Sequence, residues 1–173
     1  MKAKDHNKLP FVSFFTLTFA ILVLVAVTGA RTFGASLYSF TDLGTLGGTY
    51  SEANDINDSG QVVGIAGTAE GTYHGFLYSG GVMTDLGTLG GSQSMARGIN
   101  ASGQIVGNAD TSGGTYHAFL YSGGNMSDLL GGPTSGASGI NASGQIVGSL
   151  DIGGGTYHGY LYSGRVERRR EHD

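Results

Sequence analysis

The chain has 173 residues, 33 of them glycine, with two prolines and neither cysteine nor tryptophan. That length fits one domain, or two very small ones. The missing cysteine excludes a disulfide framework, a thiolate metal site and a cysteine nucleophile, and glycine without a three-residue period excludes collagen. Net charge is −4, and between Ser36 and Gly164 the one basic residue, Arg97, stands among nine acids. Such a body repels a phosphate backbone and argues against nucleic acid as a partner.

The N-terminus carries an address. Lys2, Lys4 and Lys8 precede the uncharged run Phe11 to Val27, and Thr28-Gly29-Ala30 supplies small residues for a cleavage site. Residues 1–30 therefore read as a secretory signal peptide or, if uncleaved, a helical anchor that meets the membrane through residues 11–27. Either way the remainder is expected to be exported, to the extracellular space or the cell envelope.

Residues 31–164 form a tandem repeat. Asp42-Leu43-Gly44-Thr45-Leu46-Gly47-Gly48 returns from Asp85 and, shortened, from Asp128. Ile56-Asn57 returns at Ile99-Asn100 and Ile140-Asn141, and Ser59-Gly60-Gln61-Val62-Val63-Gly64 returns from Ser102 and Ser143. Thr72-Tyr73-His74-Gly75-Phe76-Leu77-Tyr78 returns from Thr115 and Thr156. The period is about 43 residues, the third copy being two residues shorter before Asn141.

Each copy holds two hairpin signatures. Apolar pairs flank an Asn-x-Ser-Gly turn, and an aromatic strand reverses through Ser-Gly-Gly. This predicts four short antiparallel strands per copy and an all-β fold. Adjacent apolar residues such as Val62-Val63 and Ile105-Val106 place hydrophobic side chains on both faces of a strand. Sheets packed on both faces at this period suggest propeller-like blades. About twelve strands are expected, the first near Leu37–Phe40 and the last before Gly164. Three blades fall short of the usual four to eight. That leaves a homodimer, a piece of a longer array, or closure as a trefoil or prism, and the abrupt basic tail at 165–173 favours truncation or a frameshift.

His117-Ala118-Phe119-Leu120-Tyr121, with Asp-Leu-Gly and Ile-Asn-x-Ser-Gly-Gln-x-Val-Gly, resembles the HAF family of extracellular repeats of bacteria. The resemblance covers about residues 36–164, with Gly75 and Gly159 in place of the family's Ala and Tyr160 in place of Phe. It implies an exported repeat domain and brings no catalytic or ligand residues.

Among chemical candidates, His74, His117 and His158 occur once per copy. They are either strand-start residues that order a turn or, if brought to a common axis, zinc ligands; the former is favoured, neither a metal nor another cofactor is assigned, and with Tyr73, Tyr116 and Tyr157 they make up the candidate ligand-binding set. Asp55-Ile56-Asn57-Asp58-Ser59-Gly60 begins like a calcium loop but lacks its later acids, and reads as a turn. Asp42, Asp85 and Asp128 read as turn caps, since acid–base catalysis needs differently tuned groups in one asymmetric cleft. The Asn-x-Ser triplets match glycosylation sequons but are explained by turn chemistry. Tyr73, Tyr116 and Tyr157 are either blade core or stacking platforms for sugars, whereas the later tyrosine of each copy reads as core. The expectation is a non-catalytic binding or structural surface module with an extracellular ligand, carbohydrate or another envelope component, rather than an enzyme. The alternative is a fragment of a propeller-type extracellular hydrolase.

Overall fold

The computed structural model describes residues 39–163. The signal or anchor expected at 1–30 and the basic tail at 165–173 lie outside the described residues. The chain divides at Thr41/Asp42 into two compact units, and every described strand belongs to the second. Those strands are β1 Gly47–Ile56, β2 Val62–Thr68, β3 Tyr73–Ser79, β4 Val82–Asp85, β5 Gly90–Ile99, β6 Ile105–Thr111, β7 Tyr116–Ser122, β8 Asn125–Asp128, β9 Ser135–Ile140, β10 Ile146–Asp151 and β11 Tyr157–Tyr162. There is no helix among the described residues. Of the strand expected near Leu37–Phe40, only Ser39 and Phe40 are described; neither is in a strand, and Phe40 is 95% exposed.

The first two repeats are four-stranded antiparallel meanders, β1–β4 and β5–β8, and the third contributes three strands, β9–β11. A single parallel pair, Tyr73 with Gln93, joins the first two repeats into one eight-stranded sheet beside the three-stranded one. Apart from the isolated parallel bridges Leu46–Thr68 and Leu89–Thr111, the remaining pairing is antiparallel, and the sheets do not close into a barrel among the described residues.

The turns form where the sequence placed them. Asn57, Asn100 and Asn141 each open the first hairpin: the carbonyl accepts from the glycine three residues on, and the side-chain Oδ1 accepts two more amides, such as Ser102 and Gln104 for Asn100. In the second hairpin Gly80 and Gly81 both take positive φ, 59° and 87°, the backbone a two-residue hairpin loop needs.

Each repeat also has a β-bulge, a register shift between its first two strands. Just before this shift a carbonyl of the first strand lies directly over a glycine of the second. A methyl group on Gly64, Gly107 or Gly148 would overlap the carbonyl oxygen of Glu52, Met95 or Gly136 respectively. The same glycines make room for the large ring of the third strand, Phe76, Phe119 or Tyr160. Gly-for-space therefore sets the final glycine of the Ser-Gly-Gln-x-Val-Gly motif.

The expectation of two-faced strands holds in the middle repeat. Ile105 and Val106 are both fully buried, but in different clusters. Ile105 packs with Val63, Ala96, Ile99 and Phe119 between the first and second repeats. Val106 packs with Ala118, Ala137 and Ile146 between the second and third. The core is thus a pair of inter-repeat layers.

Candidate functional site

Polar links between repeats align these layers. The Gly75 amide donates to Ser94 Oγ at 2.8 Å, and the Ala118 amide donates to Ser135 Oγ at 3.0 Å. Asn57 Nδ2 donates to the Asn100 carbonyl at 3.1 Å, and Asn100 Nδ2 donates to the Asn141 carbonyl at 3.2 Å. Asp55 is engaged in the same way: its Oδ2 accepts the Ile99 amide at 2.9 Å. Its loop is a turn with an inter-repeat contact. The sequence reading missed the serines, although Ser51, Ser94 and Ser135 occupy one position of the repeat.

The histidines and aspartates, read separately in the sequence, come together in pairs. His74 Nδ1 lies 2.8 Å from Asp85 Oδ2, and His117 Nδ1 lies 2.6 Å from Asp128 Oδ2. The second pair is the more enclosed, His117 being 8% exposed. On the other side of each ring, Nε2 faces a threonine hydroxyl, Thr72 at 3.5 Å and Thr115 at 3.3 Å. Those hydroxyls in turn meet Thr68 at 2.8 Å and Thr111 at 3.1 Å. The carboxylates also cap their turns: Asp85 accepts from the Gly87 amide, and Asp128 from the Leu130 and Gly131 amides. Burial pushes the Asp128 carboxyl up, but the hydrogen bonds from His117 and these two amides outweigh it, and its pKa is lowered. His158 is exposed, and the residue eleven positions on, where the other repeats have aspartate, is Arg169, outside the described residues. Among the described residues no three metal-ligating side chains cluster.

The tyrosines Tyr73, Tyr116 and Tyr157 are the most accessible of the candidates brought together in clefts. Tyr73 is 41% and Tyr157 is 55% exposed, and Tyr116 is half-buried. At the junction of the first two repeats, Tyr73 meets Tyr50 edge to face with ring centroids 6.1 Å apart. One side of this pair lines a groove of about 290 Å³ with Thr49, Thr68 and Thr72, and the other a groove of about 280 Å³ with Glu52, Gln93 and Met95. The Tyr50 hydroxyl donates to Glu52 at 2.5 Å; that hydrogen bond, burial and the nearby negative charge raise its pKa. At the next junction Tyr116 and Tyr157 line a cleft of about 350 Å³ with Arg97, Asn108, Thr134 and Ser149. By repeat position Asn108 corresponds to Ile65, Tyr116 to Tyr73 and Thr134 to Gln93, so the cleft recurs with the tyrosine kept and its neighbours changed.

The later tyrosines Tyr121 and Tyr162 pack against the two clusters, as expected of core residues. No protein-family model, curated protein or solved structure matches this chain.

Proposed function

We propose that this is an exported, propeller-like repeat protein of the HAF kind that serves as a non-catalytic binding or structural surface module, with carbohydrate of the cell envelope as its ligand class. The observation that carries the reading is the recurrence of a partly exposed tyrosine in a shallow cleft at successive repeat junctions, beside Glu52, Gln93 and Met95 at the first and beside Asn108, Thr134 and Ser149 at the second. A sugar ring offers an apolar face for stacking and hydroxyls for hydrogen bonds, and an aromatic ring beside threonine, serine and asparagine answers both. His74 and His117 serve as clamps within their repeats, joining the start of β3 and of β7 to the aspartate that begins the link to the next repeat. Export rests on the basic and apolar pattern of residues 1–30, and residues 11–27 are the membrane contact if that segment is retained.

Affinity electrophoresis in gels containing envelope polysaccharides tests the reading. Retardation of the wild type, weakened by Tyr116→Ala and by Tyr157→Ala with both variants still folded, supports it. Unchanged mobility across a broad glycan panel overturns it. If Tyr116→Ala unfolds the protein, that ring belongs to the core and the exposed Tyr157 carries the test.

The hydrolase alternative has one specific foothold, the hydroxyl–imidazole–carboxylate order of Thr115, His117 and Asp128. Against it, the Thr115 hydroxyl also bonds Thr111, and the order is duplicated in the first repeat, as a structural clamp would be. Ester or glycan hydrolysis lost in Thr115→Ala would favour the enzyme.

A further inference from the structure

Two faces used to join repeats within the chain are each left bare once among the described residues. The outgoing face buries Val63 fully in the first repeat and Val106 fully in the second, with Leu77 and Leu120 beside them. In the third repeat the matching residues, Val147 and Leu161, are 48% and 63% exposed. Gly159 stands where the amides of Gly75 and Ala118 bond the next serine, and a Cβ added there would meet only the Gly148 carbonyl oxygen, at 3.8 Å. The incoming face buries Ala96 and Ala137 fully, with Ile99 at 6% and Ser94 at 2% exposure. In the first repeat the matching Ala53 is exposed, Ile56 is 62% exposed and Ser51 is half-covered.

We infer that a second copy of this chain docks head to tail, the first repeat of one copy seating on the third repeat of the other. The complement is already built twice within the chain: the same Val and Leu positions meet the same Ala and Ile positions, and a backbone amide meets the same serine. The joint continues an interface that the chain itself forms. It would pair the partner's Ser51 with the Gly159 amide and bring the partner's Asp42 to the exposed His158, in the relation of Asp85 to His74. Asp42 accepts the Gly44 amide at 3.0 Å as Asp85 accepts the Gly87 amide, so its turn is already in the competent form. The joint is heterologous, with different patches on the two sides. Two copies closing on one another would place six repeats in a ring, within the usual range of about four to eight blades, and copies failing to close would grow as a filament.

The test is light scattering coupled to size-exclusion chromatography on the full chain, across a dilution series. The wild type is expected at twice the mass of one chain, or as a concentration-dependent ladder if the ring stays open. Gly159→Arg blocks the third-repeat face and Ala53→Arg the first-repeat face, and both positions are open in the single chain. Each variant alone is expected as a monomer that still melts cooperatively, at a temperature independent of concentration. Mixing the two restores a doubled mass, because one copy retains an intact incoming face and the other an intact outgoing face. Leu161→Glu and Ile56→Glu replace either variant if its melt is lost. A wild type that stays monomeric at every concentration overturns the inference. So do variants that associate like the wild type, or a mixture that fails to restore association.

Discussion

Replacing Gly107 with alanine should be among the most damaging single-methyl changes in the chain. The added Cβ would overlap the Met95 carbonyl oxygen and stand 2.9 Å from Phe119 Cε1 and 3.0 Å from the Met95 carbonyl carbon. Carbon atoms at rest keep about 3.5–4.0 Å between them. Relief therefore needs a shift of roughly half an ångström to an ångström against the ring, and more against the carbonyl. The carbonyl is backbone of β5 in its paired ladder, and Phe119 is fully buried, so neither can rotate away. Overpacking costs about 1–3 kcal/mol where side chains can yield. Here the paired strands must part, and about 1 kcal/mol is added for each ladder bond lost. A loss of about 3 kcal/mol or more follows, a large share of a typical stability of about 5–15 kcal/mol. With urea slopes of about 1–3 kcal/mol per molar, the midpoint should fall by about 1 M or more. Gly113→Ala is the control: its Cβ would meet only Thr111 Oγ1 at 3.6 Å, and its stability should hold to within about 0.5 kcal/mol. Equal midpoints for Gly107→Ala and Gly113→Ala would refute the steric account of the motif.

The remaining predictions use polar groups. Tyr160 occupies the slot of Phe76 and Phe119, and its hydroxyl is buried with no hydrogen-bond partner among the described residues; Tyr160→Phe should stabilise by about 1 kcal/mol, read as a raised Tm. Asn100 is 4% exposed and serves two amides, a glutamine and the next repeat, so Asn100→Ala should cost about 1–3 kcal/mol. Asn141→Ala, at an exposed turn where water can replace the side chain, should cost less, and equal losses in urea titrations would contradict the ladder. Asp128 has a lowered pKa in the folded chain, so its contribution is fully present above the unfolded carboxyl value of about 3.9 and is lost as pH falls through the folded value. The Tm gap between wild type and Asp128→Asn should accordingly be widest above that pH and shrink on acidification; a gap that grows in acid would reverse the assignment.

The repeat, its turns and its two-faced strands were legible because each depends on residues near one another in sequence. Asn-x-Ser-Gly and Ser-Gly-Gly specify a hairpin locally, and Ile105-Val106 announces burial on both sides without naming what covers them. The His–Asp pairs were recoverable in principle. A two-residue hairpin at Gly80-Gly81 pairs Ser79 with Val82 and Phe76 with Asp85, which sets Asp85 diagonally opposite His74. The bulges were not legible, because a register slip shows in the sequence only as a glycine that any turn or strand might use. The uncovered third-repeat face was also hidden. The chemistry of Val147 and Leu161 matches that of their buried counterparts, so only the arrangement of neighbours distinguishes them.

The distribution of sameness and difference among the repeats bears on how the clefts would be used. Positions that form the joint keep their residue type: the bulge glycine, the hydroxyl of Ser51, Ser94 and Ser135, the turn asparagine and the large ring of the third strand. Positions around the cleft tyrosine change sharply, Ile65 becoming Asn108 and then Ser149, and Glu52 becoming Met95 and then Gly136. Packing explains the first set, because one interface geometry must be built again at each junction. It does not require the second set to vary. An acidic, methionine-lined groove at one junction and an arginine- and asparagine-lined cleft at the next are not interchangeable pockets for one repeated group. On the proposed binding reading, the constant tyrosine supplies stacking at each junction and the variable neighbours select what stacks there. The clefts then read successive, chemically different parts of one extended ligand. Tyr73→Ala and Tyr116→Ala should in that case impair binding to different glycans within a panel, whereas identical losses on every glycan would mean that the neighbours confer no selectivity.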